Sequence, residues 1–547
     1  MRTRIRVAGA LVALGILAGA CGDDSDSSSP DTTGSATTAA GATAASTAAA
    51  TTAAPADVCT ADRKGGRLTM GTGVQSVGLD PATALGTGIA GGTELTAIYD
   101  TLMRYDTATG KYIPHVAQSL TPNADFTEWT LKLKPNIKFG NGDPLTTEAV
   151  KFSIERMAKA TVAASGLAQE VQTMTIVDPL TMTLKLRQAY GAFEYVLAQE
   201  TGMVVNPKVF SSMAPADFNK LPKGAGVGPF EPTRFAPGEE ITMTAKADYW
   251  GGPVCIETLR FVNIVGARAT YDAFKKNELD VMFLSDAPVI DESRKANVKN
   301  YNAVGGAGSS LFINVGRGSA RPTNDPRLRQ AIHAAIDVNV LNQRVLGGAG
   351  KASTALIWKD QVISPGIDGP KYDLNKAKDL VTQVKAGGWN GNLTLTCGNT
   401  PTATEQSVTI QAMLQAAGMT VTVENLASTA QNQKVLIEGN FDIACQGIAI
   451  FDAGPLSRLN QFGSDSVRNR VGYKNPQMDA ALTQLTKANT LEDTKKALGQ
   501  IQTVWNNDPP AVNLWANEWY IGTTDKVRGV RMTRDQVVMF DQVYLAK

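Results

Sequence analysis

The residues best suited to chemistry in this chain are few and widely separated. The two histidines are His115 and His333, and five cysteines stand at positions 21, 59, 255, 397 and 445. The sequence contains no CxxC, HExxH or GxSxG motif, and neither histidine adjoins a cluster of carboxylates. Zinc sites and nucleophilic triads need such spacings, so neither has support here. We expect no enzymatic activity, no metal site and no cofactor.

Two glycine-rich stretches look like nucleotide-binding loops but lack the required context. Residues 86–91 fit GxGxxG, yet residues 80–85 before them are not a hydrophobic strand. Residues 347–351 lack the first glycine of a phosphate loop, and Ala352 follows Lys351 where Ser or Thr is needed. We therefore expect residues 86–91 to be a flexible loop and any ATPase to be a separate polypeptide.

The N-terminus has the pattern of an exported lipoprotein. Three arginines precede an apolar run over residues 7–20, which is short for a permanent membrane span and ends in Leu-Ala-Gly-Ala before Cys21. This resembles a bacterial lipoprotein signal, although Ala18 stands where a large aliphatic residue is usual. We predict a signal peptide over residues 1–20 and lipidation at Cys21. An ordinary secretory signal is the alternative, and both place the protein outside the cytoplasm.

Composition separates a tether from a globular part. Residues 22–58 are almost entirely Ala, Thr, Ser, Gly and Asp, which cannot bury enough apolar surface to fold, so residues 21–62 are assigned to a lipid-anchored linker. The whole chain has 547 residues, 43% of them hydrophobic, and a net charge of +1. This length indicates two or three lobes, and the charge gives no indication of a nucleic-acid partner.

Strand and helix patterns occur along the whole globular part of the chain, and in its second half they alternate. The predicted strands are residues 67–71, 129–133, 180–186, 241–245, 259–265, 393–397, 420–423 and 442–446. The predicted helices are residues 94–103, 328–345, 374–385 and 407–417, with another capped by Thr146 or Thr147. This order is typical of an α/β protein with a largely parallel sheet.

A series of short motifs, in order, resembles one family over nearly the whole mature chain. They include residues 98–102 (IYDTL), 114–119 (PHVAQS), 129–139 (WTLKLKPNIKF), 226–230 (GVGPF), 247–252 (ADYWGG) and 325–332 (DPRLRQAI). The chain is similar to family 5 of the bacterial extracellular solute-binding proteins, the peptide/nickel class of ABC importer subunits. The resemblance implies a two-lobed α/β periplasmic-binding-protein (Venus-flytrap) fold of class II type, with an extra inserted subdomain.

The same resemblance gives domain boundaries. Lobe I is expected to comprise residues 63–103, 222–310 and 518–547, the inserted subdomain residues 104–221, and lobe II residues 311–517. Without Cys21, four cysteines remain and three pairings are possible. We prefer Cys59–Cys255 and Cys397–Cys445, because each pair then stays within one lobe.

The candidate ligand-binding residues also come from the resemblance. Asp452, after a lobe II strand, matches an Asp that pairs with the ligand's α-ammonium in peptide-binding members, with Phe451 beside it. The usual Trp three residues earlier is Ala449 here, and a simple turn residue is the alternative for Asp452. Trp358 matches a pocket Trp, although the Pro-Pro before it is missing. Trp515 and Trp519 are further candidates for the wall.

The predicted function is that of a binding module. A monomeric lipoprotein would capture peptides at the outer face of the cell membrane, in the periplasmic or cell-wall space, and deliver them to an ABC permease. One alternative keeps the fold and changes the ligand to a sugar, a metal chelate or another solute. The other is an extracellular enzyme or chaperone, which the missing catalytic motifs disfavour.

Overall fold

The structure is a computed structural model that describes residues 59–73, 76–84, 91–107, 109–160, 162, 165–533 and 537–546. The predicted signal peptide, Cys21, most of the predicted linker and nearly all of the loop at residues 86–91 lie outside these residues. Those predictions are therefore untested.

The helices of the described part range from one to five turns. They are α1 (Gly92–Tyr99), α2 (Thr147–Ala158), α3 (Ser165–Ala168), α4 (Glu194–Leu197), α5 (Pro207–Ser211), α6 (Pro215–Lys220), α7 (Ala267–Lys275), α8 (Ala287–Lys295), α9 (Pro326–Ala335), α10 (Val338–Leu346), α11 (Leu374–Ala386), α12 (Pro401–Ala416), α13 (Ser428–Asn432), α14 (Pro455–Leu459), α15 (Pro476–Lys487) and α16 (Leu491–Asn507). Short 3-10 helices cover Glu200–Gly202, Pro322–Asn324 and Asn460–Phe462, and a π-helix covers Gln433–Glu438. None of the described helices is long and apolar enough to cross a membrane.

The strands are mostly short, with two long exceptions. They are β1 (Arg67–Thr72), β2 (Met103–Asp106), β3 (Lys111–Pro114), β4 (Ala117–Pro122), β5 (Glu128–Leu133), β6 (Val171–Asp178), β7 (Thr181–Leu186), β8 (Phe230–Ala236), β9 (Glu240–Ala245), β10 (Thr258–Asn263), β11 (Val281–Leu284), β12 (Lys299–Ile313), β13 (Lys351–Ala352), β14 (Asn392–Gly398), β15 (Thr420–Leu426), β16 (Ile443–Gln446), β17 (Ala511–Thr523), β18 (Val527–Arg528), β19 (Arg531–Met532), β20 (Val538–Met539) and β21 (Tyr544–Leu545).

One long sheet runs through both lobes. Its strand order is β15-β14-β16-β12-β17-β11-β1-β10-β9-β8, with β13 also pairing with β17. We use lobe I for the part built on β1 and β8 to β11, and lobe II for the part built on β13 to β16. Strands β14, β15 and β16 are mutually parallel, but β12, β17 and β9 pair antiparallel with their neighbours. The sheet is thus mixed, and the expectation of a largely parallel sheet holds only for these three strands and for β1 with its neighbours β10 and β11.

The two long strands, β12 and β17, connect the lobes. They pair from Lys299 opposite Thr523 to Phe312 opposite Ala511, and the register shifts between Gly305 and Ser309. The interruption contains three glycines and Ala307, whose φ of 49° is left-handed. A bulge locally breaks the ladder and bends a strand, so the interruption lies where the chain passes from one lobe to the other.

Each lobe has its own hydrophobic core, and the inserted subdomain has another. In lobe II, Leu311 and Ile313 face one cluster with α9 to α12, while Phe312 faces a second with α15 and α16. This alternation follows from the two-residue period of a strand. The subdomain is built on the antiparallel sheet β4-β5-β7-β6, whose core includes the fully buried Trp129.

Three predicted helices have different bounds in the structure, and the helix predicted over residues 407–417 is α12, which begins six residues earlier at Pro401. The helix predicted over residues 328–345 is two helices, because the Asp337 side chain accepts hydrogen bonds from the N–H groups of Asn339 and Val340 and so begins α10. The helix predicted over residues 94–103 ends at Tyr99. Asp100 follows with a φ of 53°, and the chain continues as β2.

The structure contains the two disulfides that the sequence analysis preferred. Cys397 on β14 and Cys445 on β16 join neighbouring parallel strands, with Cα atoms 4.8 Å apart. Cys59 and Cys255 join the start of the described chain to lobe I, with Cα atoms 5.1 Å apart. Residues 59–62, assigned to the linker, are therefore covalently held against lobe I.

Candidate functional site

A cavity of about 800 Å³ lies between the lobes. Its walls come from the β2–β3 hairpin, from β12, from the segment after β13, from the loop after β16 and from β19. The volume is within the range of small-molecule sites in proteins. The lining residues used below are Tyr105, Tyr301, Asn302, Lys351, Trp358, Asp360, Gln361, Phe451 and Asp452.

Asp452 is a half-buried acidic group in this cavity. Its Oδ1 accepts a hydrogen bond from the backbone N–H of Ile363, at 3.2 Å. Burial raises the pKa of Asp452 above its usual range, while the N–H groups of Ile363 and Val362 and the charge of Lys495 act in the opposite direction. No ion pair joins Asp452 to a cationic side chain of the described residues. The cavity therefore presents a carboxylate that forms no ion pair within the described residues.

The neighbouring Tyr105 is affected by the same charge. Its pKa is raised to about 12, first by burial and then by the negative charges of Asp452 and Asp106. Tyr105 comes from the β2–β3 hairpin, across the cavity from lobe II. A cation bound at Asp452 would thus meet a neutral phenol from the opposite side.

Gln361 holds the lobe II side of the cavity in place. Its Nε2 donates to the carbonyl of Ile450 at 2.9 Å, and its Oε1 accepts from the N–H groups of Gly306 and Trp358. Gly306 also forms a two-way backbone bridge with Ile450. The buried Gln361 side chain therefore fixes the segments that carry Trp358 and Asp452 against the interruption in β12.

Aromatic side chains form much of the cavity wall. Phe451 lies between the lobes, with its ring centroid 4.4 Å from that of Trp519. Gly305 on β12 makes room for it, because a Cβ at that position would lie 2.8 Å from the Phe451 ring. Trp358 donates its indole N–H to Asp360 at 3.1 Å. Such surfaces offer apolar contact without requiring one particular ligand side chain.

The structure brings three of the five predicted binding residues together in the cavity. Asp452, Phe451 and Trp358 line the cavity, whereas Trp515 packs against the lobe II core beside α9 to α12. Trp515 is four residues from Trp519 on β17, which is about 13 Å along a strand. That spacing places Trp515 at the lobe II end of β17, away from the contact between Trp519 and Phe451.

A charged group at the cavity edge was not identified from the sequence. Lys351 was considered only as part of a failed phosphate-loop match, yet it lines the cavity with its Nζ 5.6 Å from the Trp358 ring centroid. The same Nζ lies 3.7 Å from Oε2 of the buried Glu518, which also pairs with Arg294 of lobe I. Asn302 completes this group by donating to Glu518 at 2.8 Å.

The sequence carried a weak signal for the polar part of the wall. Asn300 and Asn302 alternate on β12 just before its glycines, a period-two pattern that indicates one polar face of a strand. Tyr105 had no such signal, because its place in the cavity depends on how the subdomain hairpin meets lobe II. Among the described residues, no group of three His, Cys, Asp or Glu side chains is arranged to hold a metal ion.

Comparison with known proteins gives one family. The sequence model of one protein family, described as "Bacterial extracellular solute-binding proteins, family 5 Middle", matches residues 111–470 of this chain. Over 482 residues the chain is 26% identical to the probable D,D-dipeptide-binding periplasmic protein DdpA of Escherichia coli K12, spanning 84% of this chain and 90% of that protein. The nickel-binding periplasmic protein of the same organism is 23% identical over 303 residues, or 53% of this chain and 56% of that protein.

A solved structure shows the same fold. The periplasmic binding protein DppA from Helicobacter pylori, in complex with the peptide STSA, superposes with a TM-score of 0.75. The two chains are 20% identical, and the match covers 89% of this chain and 99% of the other. The two-lobed α/β architecture expected from the sequence is therefore confirmed.

Proposed function

This chain belongs to the family 5 bacterial extracellular solute-binding proteins, and from that premise we propose that it captures peptides between its lobes for an ABC importer. A permease with a separate ATPase would receive the peptide from the monomeric binding protein. Two curated relatives that support the peptide assignment are the probable D,D-dipeptide-binding protein and the dipeptide-binding protein DppE of Bacillus subtilis. The observation that carries the proposal is the half-buried carboxylate of Asp452, which forms no ion pair within the described residues, in an aromatic-walled cavity.

The α-ammonium of a bound peptide is the cation that Asp452 receives. A cation removed from water needs a charged or strongly accepting partner, and Asp452 supplies one without displacing an existing ion pair. Phe451, Trp358 and Trp519 then contact the peptide or shape its surroundings without selecting one side chain. Because ligand contacts both lobes, it stabilises the closed arrangement over the open one.

Calorimetric titration tests the role of Asp452. Asp452→Ala should cost about 3–5 kcal/mol of affinity for a free peptide, or roughly 100- to 4000-fold, because the buried cation loses its partner. N-acetylation of the peptide should weaken binding to the wild type strongly and to Asp452→Ala much less. Asp360→Asn, which removes another acidic group from the same cavity, should keep the full acetylation penalty.

Equal acetylation penalties in the wild type and Asp452→Ala would exclude Asp452 as the ammonium partner. Native mass spectrometry of protein purified without denaturation would separate the remaining ligand classes. A retained peptide supports the proposal. A retained sugar or metal chelate would assign the same fold to a different solute, as in the nickel-binding relative.

Lipid attachment at Cys21 is part of the same proposal. A short lipid anchor would keep the binding protein near its permease, and the low-complexity residues 22–58 would act as a spacer. Replacing Cys21 with Ala should move the protein from the membrane fraction to the soluble extracytoplasmic fraction. Unchanged membrane retention would contradict lipidation at this residue.

A further inference from the structure

Four arginines of lobe II lie in one connected group, which we call the arginine cluster: Arg317, Arg458, Arg468 and Arg470. The Nη1 atoms of Arg317 and Arg470 donate to the same carbonyl oxygen, that of Leu436, at 2.9 and 2.8 Å. Arg317 also donates to the carbonyl of Arg470 at 3.4 Å. Two guanidinium groups that share one acceptor must lie side by side.

The other two arginines continue the group. Nη1 of Arg468 donates to the carbonyl of Ser457, the residue next to Arg458, at 3.3 Å. The pKa of Arg468 is lowered by burial and then by the positive charges of Arg458 and Arg470, with Tyr195 acting in the opposite direction. The pKa of Arg317 is lowered by burial and then by Arg470. The four positive charges therefore act on one another in sequence.

No carboxylate of the described residues forms an ion pair with any member of the arginine cluster. The guanidinium of Arg458 has no hydrogen-bond partner at all within the described part of the chain. Four other arginines with a buried or half-buried guanidinium do have acidic partners: Arg156 with Asp80, Arg294 with Glu518, Arg321 with Asp442 and Arg329 with Asp508. Four adjacent like charges without a counter-charge repel one another, and a bound anion would remove that cost.

The arginine cluster is open to solvent. All four side chains are half-buried, and the loop that carries Arg468 and Arg470 also exposes Val467, which is 98% accessible. On its other side, Ser457 accepts a hydrogen bond from the Tyr195 hydroxyl of the inserted subdomain, at 2.9 Å. The arginine cluster thus adjoins the inserted subdomain through Ser457, and its four side chains remain partly accessible to solvent.

We propose that the arginine cluster is a binding site for a phosphate group. Guanidinium is planar, stays charged and presents paired N–H donors that match the oxygens of phosphate, which a set of lysines would not do. Arg458 supplies an unused fork, and Arg468, held by Ser457, supplies a second donor at a fixed position. The phosphate group comes either from free phosphate in the medium or from an anionic lipid headgroup of the membrane.

Two binding measurements distinguish these sources. Inorganic phosphate and pyrophosphate are titrated calorimetrically, and vesicles of phosphatidylglycerol or of phosphatidylcholine alone are tested by flotation. Each uses Cys21→Ala protein, so that no lipid anchor can bring the protein to the vesicles. The Arg458→Gln/Arg468→Gln variant should bind at least about tenfold more weakly, because charge-assisted hydrogen bonds are lost.

Two further variants keep the result interpretable. Arg458→Lys keeps the charge but removes the fork, so an intermediate loss supports recognition of phosphate geometry. Arg327→Gln removes an exposed arginine that pairs with Asp325 elsewhere on lobe II, and it should bind like the wild type. Thermal unfolding of each variant checks that the fold is kept.

The site is supported if the wild type binds phosphate in the titration or phosphatidylglycerol vesicles in the flotation, and if the double variant loses that binding. Which of the two ligands binds identifies the source of the phosphate group. The proposal is overturned if the wild type binds neither phosphate nor phosphatidylglycerol vesicles. It is also overturned if the double variant binds as tightly as Arg327→Gln. Peptide affinity is measured separately, so that a failed phosphate site and a failed peptide site remain distinguishable.

Discussion

A buried group of charges lies where lobe I meets the inserted subdomain, and it contrasts with the arginine cluster of lobe II. We call it the lobe I charge cluster: Asp100, Arg104, His115, Arg531 and Asp541. Nη1 of Arg104 lies 3.6 Å from Oδ2 of Asp541, and Nη2 of Arg531 lies 2.6 Å from the same oxygen. Asp100 lies 2.9 Å from the His115 ring and accepts a hydrogen bond from the Tyr249 hydroxyl.

The two clusters differ in their charge balance. In lobe I two carboxylates face two guanidinium groups, and burial together with Arg104 lowers the pKa of His115, which favours the neutral ring. Burial alone would raise the pKa of Asp541, but the charges of Arg104 and Arg531 lower it overall. In the arginine cluster of lobe II, Arg317, Arg468 and Arg470 donate to carbonyl oxygens, and no carboxylate of the described residues pairs with any of the four arginines. A balanced group contributes to the fold, whereas an unbalanced group is suited to a ligand that completes it.

The largest difference in stability is expected when one arginine in each cluster is replaced. Arg104→Met should lower the free energy of unfolding by about 3–5 kcal/mol, because Asp100 is then left buried without a guanidinium partner and Asp541 keeps only Arg531. Arg470→Met should change it by about 1 kcal/mol or less, because no carboxylate is left unpaired. Denaturant unfolding at pH 7 measures both. A cost for Arg470→Met equal to that for Arg104→Met would contradict the contrast.

Glu94 is an acidic group of lobe I without a hydrogen-bond partner among the described residues, so it shows what burial does to a charge that no other group balances. Its side chain is fully buried, neither carboxylate oxygen has a hydrogen-bond partner among the described residues, and burial raises its pKa from 4.5 to about 8. The folded state then holds a proton that the unfolded state releases above pH 4.5. Stability should therefore fall as the pH rises from 4.5 towards 8, by about 3 kcal/mol at pH 7.

Glu94→Gln removes the titrating group and should remove this part of the pH dependence. Unfolding curves of wild type and variant are compared at pH 4.5, 6, 7 and 8. As the pH rises, the free energy of unfolding of Glu94→Gln should increase relative to that of the wild type. Parallel stability profiles would show that Glu94 is not protonated in the folded protein.

Asp452 should make ligand binding depend on pH, as Glu94 should make stability depend on pH. Its raised pKa in the free protein should fall when an ammonium group binds, so binding favours the charged carboxylate. Peptide affinity should therefore decrease as the pH falls through the pKa of free Asp452, by up to about tenfold per pH unit. Calorimetric titration from pH 7 to pH 4 should show this loss in the wild type. The same loss in Asp452→Asn would assign it to another group.

The smallest expected effect concerns the arginine cluster without any ligand. Arg458→Gln should change stability by about 0.5 kcal/mol or less, since this half-buried side chain has no partner to lose. Because screening relieves repulsion among like charges, raising the salt concentration should stabilise the wild type slightly more than the variant. Unfolding midpoints at two NaCl concentrations give the difference. A larger stabilisation of Arg458→Gln than of the wild type by added salt would contradict mutual repulsion in the arginine cluster.

The sequence was informative where the evidence is local or carried by ordered motifs. Strand alternation around Trp129 and the pairing of Cys397 with Cys445 both match the structure. The break at Ile336 was missed because a capping Asp337 looks like any polar residue within an amphipathic helix. The position of Asp452 after β16 followed from the family motif, although its pairing with an ammonium is still a prediction.

Features made by distant segments could not be read from the sequence. Arg317 and Arg470 are more than 150 residues apart, and only the path of β12 and the π-helix at Gln433–Glu438 brings them to one carbonyl. Trp515 and Trp519 look equivalent in sequence, but the length of β17 separates a core residue from one that contacts the cavity wall. Tyr105 reaches the cavity through the packing of a whole subdomain.

The position of β17 has a consequence for how the chain acquires its structure. This strand lies in the middle of the long sheet, between β11 of lobe I and β12, yet it begins only at Ala511. As the chain emerges from N- to C-terminus, β11 and β12 are made well before β17, which lies between them in the sheet and follows β12 by almost 200 residues. Pairings so distant in sequence form slowly, because the loop must close before the contacts stabilise it. The unpaired edges of β11 and β12 are therefore the surfaces most exposed to aggregation or to chaperone binding until the last strands arrive.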